Sequence, residues 1–280
     1  MSVKTDELIA IKASGTRLNE ATLSSGYVLL DRPASQSAAT AGRPLENSLN
    51  DFSPPGRPSI EAPLHAVCPG LYTAHVHSAG AIAIGLTSEA ASVCELFGWE
   101  FIHYSCPGQP LLERLLECEC FQLPEGTILL GNHGLLSWAT SMKDCQRRVI
   151  ETENACREHL LSRRVGRGNP DEPLSLVTAE VPMVDFSGCL DSQWLEFCLE
   201  TTLVPDQIVL LGSIDFSSRV SDSLLFDLSN MPQDCQEMIK LLQLLGQLLT
   251  ISECTQVLTD IQIHEILTME AEHYRQGKIK

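Results

Sequence analysis

The chain has 280 residues, 44% of them hydrophobic, enough for one large domain or a domain with an appended lobe. A formal net charge of −17, from 36 acidic and 19 basic residues, argues against nucleic acid and anionic membranes as partners, although a local cation can still reverse the field for a small phosphorylated ligand. No apolar span of ~18 residues and no basic-plus-apolar leader is present, so the sequence reads as a soluble cytoplasmic protein.

In chain order, Glu7 to Ala13 and Tyr27 to Asp31 read as strands. Pro33 to Arg57, rich in Ser, Ala, Gly, Pro and Asn, reads as a long connection. Ser59 is placed to cap a short helix carrying Glu61, Leu64 and His65. A strand from Leu71 to His77 follows, then an apolar helix from Ala79, a strand from Trp99 to Tyr104 and a short helix from Leu111 to Cys120. Thr127 to Leu130 and Leu135 to Trp138 form two strands meeting at a glycine-flanked turn, Gly131-Asn132-His133-Gly134. Met142, Cys145, Val149, Cys156 and Leu160 recur at helical spacing and predict a helix over Ser141 to Arg163. Arg164 to Pro173 reads as a linker, which divides the chain into a metal-binding domain over 1–165 and a mostly helical lobe over 175–280. Within that lobe Gln207 to Leu211 reads as a strand after a turn at Pro205-Asp206, and Cys235 to Thr250 and Glu253 to Tyr274 read as helical. The leucines from Leu241 to Leu249 suit either core or a subunit contact. The 11 cysteines are scattered and lack C-x-x-C pairs, so they read as reduced, partly buried thiols. No Gly-x-Gly-x-x-Gly follows a strand, so no dinucleotide-binding unit is expected.

His75-Val76-His77 carries the most chemistry. On a strand, residues i and i+2 point to one face, so two imidazoles at that spacing can reach one metal ion. His133 offers a third nitrogen from its turn, and Glu61 lies upstream as a free carboxylate. Three histidines with an open position and a neighbouring base make a catalytic zinc site. His65, one helical turn after Glu61, reads as a supporting or structural residue.

Taken together and in this order, these pieces resemble the class II aldolase/adducin family from about Ser2 to His159, and most closely the aldolase half of bacterial proteins that fuse an aldolase to a dehydrogenase. The resemblance implies a three-layer α-β-α fold around a mainly antiparallel sheet, here with a small C-terminal α/β lobe. It implies one Zn2+ or other divalent ion per subunit, held by His75, His77 and His133, with Glu61 as the base. Phe101-Ile102-His103-Tyr104 resembles the stretch where fuculose-phosphate-type members carry a tyrosine reaching a neighbouring subunit's site. Tyr104 is thus either a proton donor across a boundary or a packed strand-end residue. Ser14, Gly15 and Ser59 match positions that bind substrate phosphate, or serve as plain turn and cap residues. Ile60 stands where such members carry a second serine. Lys12, Arg17 and Arg57 are candidate positive supplements.

The function so implied is zinc-dependent cleavage of a ketose 1-phosphate to dihydroxyacetone phosphate and an aldehyde, by a homotetramer. Epimerisation or dehydration of a sugar phosphate at the same metal, or a non-catalytic adducin-like interaction module, are the alternatives. Family members carry a helix and a glycine/asparagine loop before the first matched strand. Met1 begins where that loop ends, so this form is expected to bind metal but to turn over poorly.

Overall fold

The computed structural model describes residues 1–165, 192–211 and 232–269. Its sheet begins at the first residues: β1 (Ser2–Lys4), β2 (Leu8–Lys12) and β3 (Tyr27–Asp31) run antiparallel to one another. Sequence reading finds β2 and β3 through their alternation, each strand alternating half-buried and buried residues, but β1 is too short to show a period. The sheet continues with β4 (Tyr72–Val76), β5 (Glu100–Ile102), β6 (Gly126–Leu130) and β7 (Gly134–Ala139). Seven strands stand in the order β3-β2-β1-β4-β7-β6-β5, all neighbours antiparallel except β5 and β6.

Helices cover both faces. α1 (Arg32–Thr40) and α2 (Ala62–Val67) are joined on one face by α5 (Gln109–Leu116). α3 (Ala79–Gly85), α4 (Ala90–Phe97) and α6 (Met142–Val165) belong to the other. The layering is therefore α-β-α with a mainly antiparallel centre. Alternation along the central strands sorts the core: Ile128, Leu130, Leu136 and Trp138 pack with Leu64 of α2 and Leu111 and Leu115 of α5, whereas Leu129 and Leu135 pack with α3.

Two sequence expectations change. Pro33 to Arg57 is not one long connection. Asp31 caps α1, accepting from the Ala34 amide at 2.9 Å, Pro33 fits the first turn, and Ser35, Ala38 and Ala39 bury the helix's small face. A helix that packs through serine and alanine shows too little hydrophobic contrast to be read as one. Gln207 to Leu211 is not a strand. α7 (Ser192–Glu200) leads into α8 (Pro205–Leu211), where Pro205 starts the helix and the Gln207 amide donates back to the carbonyls of Cys198 and Thr201 at 2.6 and 2.9 Å. A four-residue apolar run cannot by itself distinguish strand from helix. The described part of the C-terminal region is thus helical, continuing with α9 (Gln233–Leu248) and α10 (Asp260–Thr268), while the interval 254–259 is not helical. The expected linker beyond Val165 and the helical reading beyond Met269 lie outside the described residues.

α9 packs on α3. Leu242, Leu245, Leu248 and Leu249 join one buried cluster with α3 and α6, so this leucine run is core. Trp194 of α7 closes on it, with its indole nitrogen donating to the Leu242 carbonyl at 2.8 Å.

Candidate metal centre and active-site cavity

His75 is the fourth residue of β4 and stands opposite Leu136 in β7, whose side chain belongs to the α2/α5 face. Cross-strand partners share a face, so His75 is directed toward α2 and Glu61. His77 lies two residues on, beyond the end of the strand. His133 comes from the loop between β6 and β7. There Asn132 adopts a left-handed φ of 60°, and Gly134 has a φ of 146° with room for no Cβ, which would stand 2.2 Å from the Val76 carbonyl oxygen. That close approach brings the His133 loop against the corner that carries His77. The ring centroids of the three histidines are 4.8–5.3 Å apart, and one nitrogen from each lies within 4.8 Å of the other two.

Glu61 stands at the N-cap of α2, and its Oε1 is 3.1 Å from both His75 Nε2 and His133 Nε2. The Ser59 hydroxyl accepts from the Glu61 amide at 3.4 Å, turning the chain into that position. Burial works against charge on Glu61, but His75 and His133 outweigh it and hold its carboxyl well below the usual carboxylate range.

This donor set fits a divalent metal. A carbonyl only accepts, so the contact of 3.1 Å between His75 Nδ1 and the Leu135 carbonyl requires the His75 proton on Nδ1. That leaves Nε2, the nitrogen 3.1 Å from Glu61 Oε1, as the ring atom that would serve a metal ion. Both atoms are buried with no hydrogen-bond partner, as is His133 Nδ1. A cation beside His75 Nε2 and Glu61 Oε1 would satisfy those two atoms, and fixing a ligand's tautomer through its far nitrogen is how metal-binding histidines are generally held.

The histidines open into a cavity of about 670 Å³. Ser14, Gly15 and Ser59 line it, as do Lys12, Arg17 and Arg57. Gly15 takes a φ of 69°, and the Ser14 amide already donates to the Arg57 carbonyl at 2.8 Å. The three cations have protein partners. Lys12 Nζ donates to the Thr16 carbonyl at 2.6 Å, Arg57 pairs with Glu46 at 3.1 Å, and Arg17 is gripped by Asp234 and Glu237 of α9. Tyr104 does not line this cavity. It packs against the core cluster, and its hydroxyl is buried near Cys106 and near Glu265 of α10, where burial pushes its pKa above the usual phenol range. Within this chain it stands as a packed strand-end residue, one of the two readings the sequence left open. His65 is also buried, with Nδ1 2.8 Å from the Ser2 hydroxyl, and ties α2 to β1.

Two contributors went unread in the sequence. Asp206 Oδ2, in the first turn of α8, lies 3.1 Å from His77 Nδ1. The Asn132 amide donates to the Leu203 and Gln256 carbonyls at 3.0 and 2.5 Å, anchoring the His133 loop. Asn132 was visible as part of a turn, but nothing local marks Asp206.

Residues 1–160 match the family described as Class II Aldolase and Adducin N-terminal domain. The chain belongs to this family. A solved relative, the N-terminal class II aldolase domain of a conserved protein from Thermoplasma acidophilum, is 23% identical and superposes with a TM-score of 0.51, covering 57% of this chain and 82% of that one. At that identity the likeness shows the shared fold. A curated relative, the uncharacterized oxidoreductase YuxG of Bacillus subtilis strain 168, is 27% identical over 137 residues, which is 46% of this chain. The chain spans about a fifth of the length of that relative (20%). The family match ends inside α6, so Asp206 and the α9 carboxylates lie outside it. No described helix is long and apolar enough to cross a membrane.

Proposed function

We propose that this family member is a metal-dependent lyase that cleaves a ketose 1-phosphate into dihydroxyacetone phosphate and an aldehyde. The observation that carries the reading is Glu61 Oε1 placed 3.1 Å from two of three clustered imidazoles at the wall of a substrate-sized cavity. His75, His77 and His133 would hold the ion, with zinc favoured by an all-nitrogen set. When bound, it supplies Lewis acidity toward carbonyl and hydroxyl oxygens.

Glu61 moves a proton on and off the carbon beside the substrate carbonyl. In the cleavage direction the hydroxyl on the departing carbon gives its proton to the Glu61 carboxylate as the carbon–carbon bond breaks and the aldehyde forms, and Glu61 returns that proton to the enediolate carbon left behind. The buried setting of this carboxylate keeps the transfer away from bulk water. Ser14, Gly15 and Ser59 supply the polar wall nearest the phosphate.

Metal analysis of the purified protein, joined to a cleavage screen across ketose 1-phosphates, tests the reading. One divalent ion per chain with aldehyde release supports it. Absence of bound metal after zinc loading refutes it and favours an adducin-like module.

A further inference from the structure

We infer that Asp206, from the helical region beyond the family domain, is a positioning residue that locks His77 as a metal ligand. The inference rests on the proposed metal site. His75 is held by strand pairing and by the Leu135 carbonyl, and His133 is buried in its loop. His77 has neither support. It follows the last residue of β4, and its side chain keeps 34% of its surface exposed. A histidine in that position samples several rotamers, and ordering it subtracts from metal affinity.

Asp206 supplies the missing constraint. Its Oδ2 is 3.1 Å from His77 Nδ1, and its side chain is the more buried of the two, 15% exposed. A carboxylate accepts the Nδ1 proton, fixes the ring's orientation and leaves Nε2 with its lone pair for the ion. The negative charge also makes that nitrogen a better donor.

The surrounding contacts make Asp206 a rigid support. Just before α8, Leu203 accepts a hydrogen bond from Asn132, the residue preceding His133, and Gln256 accepts a second. Gln207 holds the turn before α8 through Cys198, Thr201 and Leu203. On the other side of His77, Glu153 accepts hydrogen bonds from the Ser78 hydroxyl and the Gly80 amide. One segment, Leu203 to Asp206, therefore bears on two of the three histidine positions.

The test measures Zn2+ affinity of the 280-residue protein by competition with a chromophoric chelator, for wild type, Asp206→Asn, His77→Ala and the double variant. Thermal melts of the metal-free proteins check the fold. Asp206→Asn is expected to weaken Zn2+ binding about 10- to 100-fold and to perturb the absorption bands of the Co2+-loaded protein. It should change nothing further in the His77→Ala background, whereas a residue that merely supported the fold would weaken both backgrounds alike. Unchanged affinity in Asp206→Asn, or equal losses in the two backgrounds, overturns the inference and leaves the metal site standing. A wild type that holds no metal overturns both.

Discussion

His75 uses its two ring nitrogens for different purposes: Nδ1 faces the Leu135 carbonyl at 3.1 Å, and that contact commits Nε2 to the acid-lined side where Glu61 waits. Leu135 lies in β7, two residues past His133, so the hairpin that presents one histidine also orients another. The arrangement makes the centre a property of the sheet, and several measurable consequences follow.

Glu61→Gln removes the proton carrier while keeping the side chain's shape. The variant should retain the metal and lose turnover by ~10²–10⁴-fold, since a positioned acid–base group contributes about that much. Atomic absorption and a coupled aldehyde assay read the two quantities separately. Full turnover in this variant would place the base elsewhere.

Gly134→Ala should both destabilise the fold and weaken the metal. Its φ of 146° suits glycine, and a methyl group there meets the Val76 carbonyl oxygen at 2.2 Å. A loss of more than ~1 kcal/mol is expected, read from the denaturant midpoint. Zn2+ affinity should fall with it, because the displaced strand end carries His77. Gly98→Ala is the control: it also has a positive φ, of 70°, but nothing lies near its Cβ, so its effect should be confined to stability.

Lys4 gives the protein a pH signature. Burial pushes its ammonium from 10.5 down to about 8, although Nζ donates to the Cys68 and Gly70 carbonyls and to the Thr73 hydroxyl at 2.6–3.0 Å. Below about 8 both folded and unfolded chains hold the proton. Between about 8 and 10.5 only the unfolded chain does, so stability rises with pH through that window. Relative to Lys4→Met, the wild type should gain up to ~3 kcal/mol across the window. Comparing denaturation midpoints of the two proteins at each pH removes the ionisation of the cysteines, which both share. A flat difference would show that Lys4 stays charged in the fold.

Arg17 is gripped by Asp234 and Glu237, so Arg17→Ala should hardly change KM for a phosphorylated substrate. Freeing the guanidinium should matter more. Asp234→Asn combined with Glu237→Gln removes two negative charges from the cavity wall and releases a cation beside it. The expected result is a KM lowered several-fold at unchanged kcat, since charge-assisted hydrogen bonds are worth ~1.5–3 kcal/mol and part of that is lost to ordering the side chain. An unchanged KM in the double variant would take Arg17 out of substrate binding.

The sequence made the local parts of this picture readable. Alternating burial marked β2 and β3, and the paired histidines and the Asn-His-Gly turn announced themselves through short spacings whose geometry is set by the backbone. What stayed hidden depends on distance or on weak contrast. α1 buries serine and alanine, which resemble a loop composition. Asp206 becomes informative only when α8 folds against the end of β4, far away in sequence. Lys4 looks like an ordinary surface lysine until three acceptors close around it. Arg17, Lys12 and Arg57 were visible as charges, but sequence could not show that each is already engaged.

The placement of β1 has a mechanical consequence. Its three residues lie between β2 and β4, pairing Ser2 with both Ile11 and Thr73, and Val3 with both Ala10 and Tyr72. On one side of this seam hangs the ribbon that continues into the Ser14-Gly15 turn, and on the other the strands that carry the histidines. Within the sheet the two half-sites are stitched together by three residues alone. A small slip along β1 would therefore change the span between the metal and the far wall of the cavity while leaving each half intact. Crosslinking Ser2 to Thr73 would hold that seam in its present register.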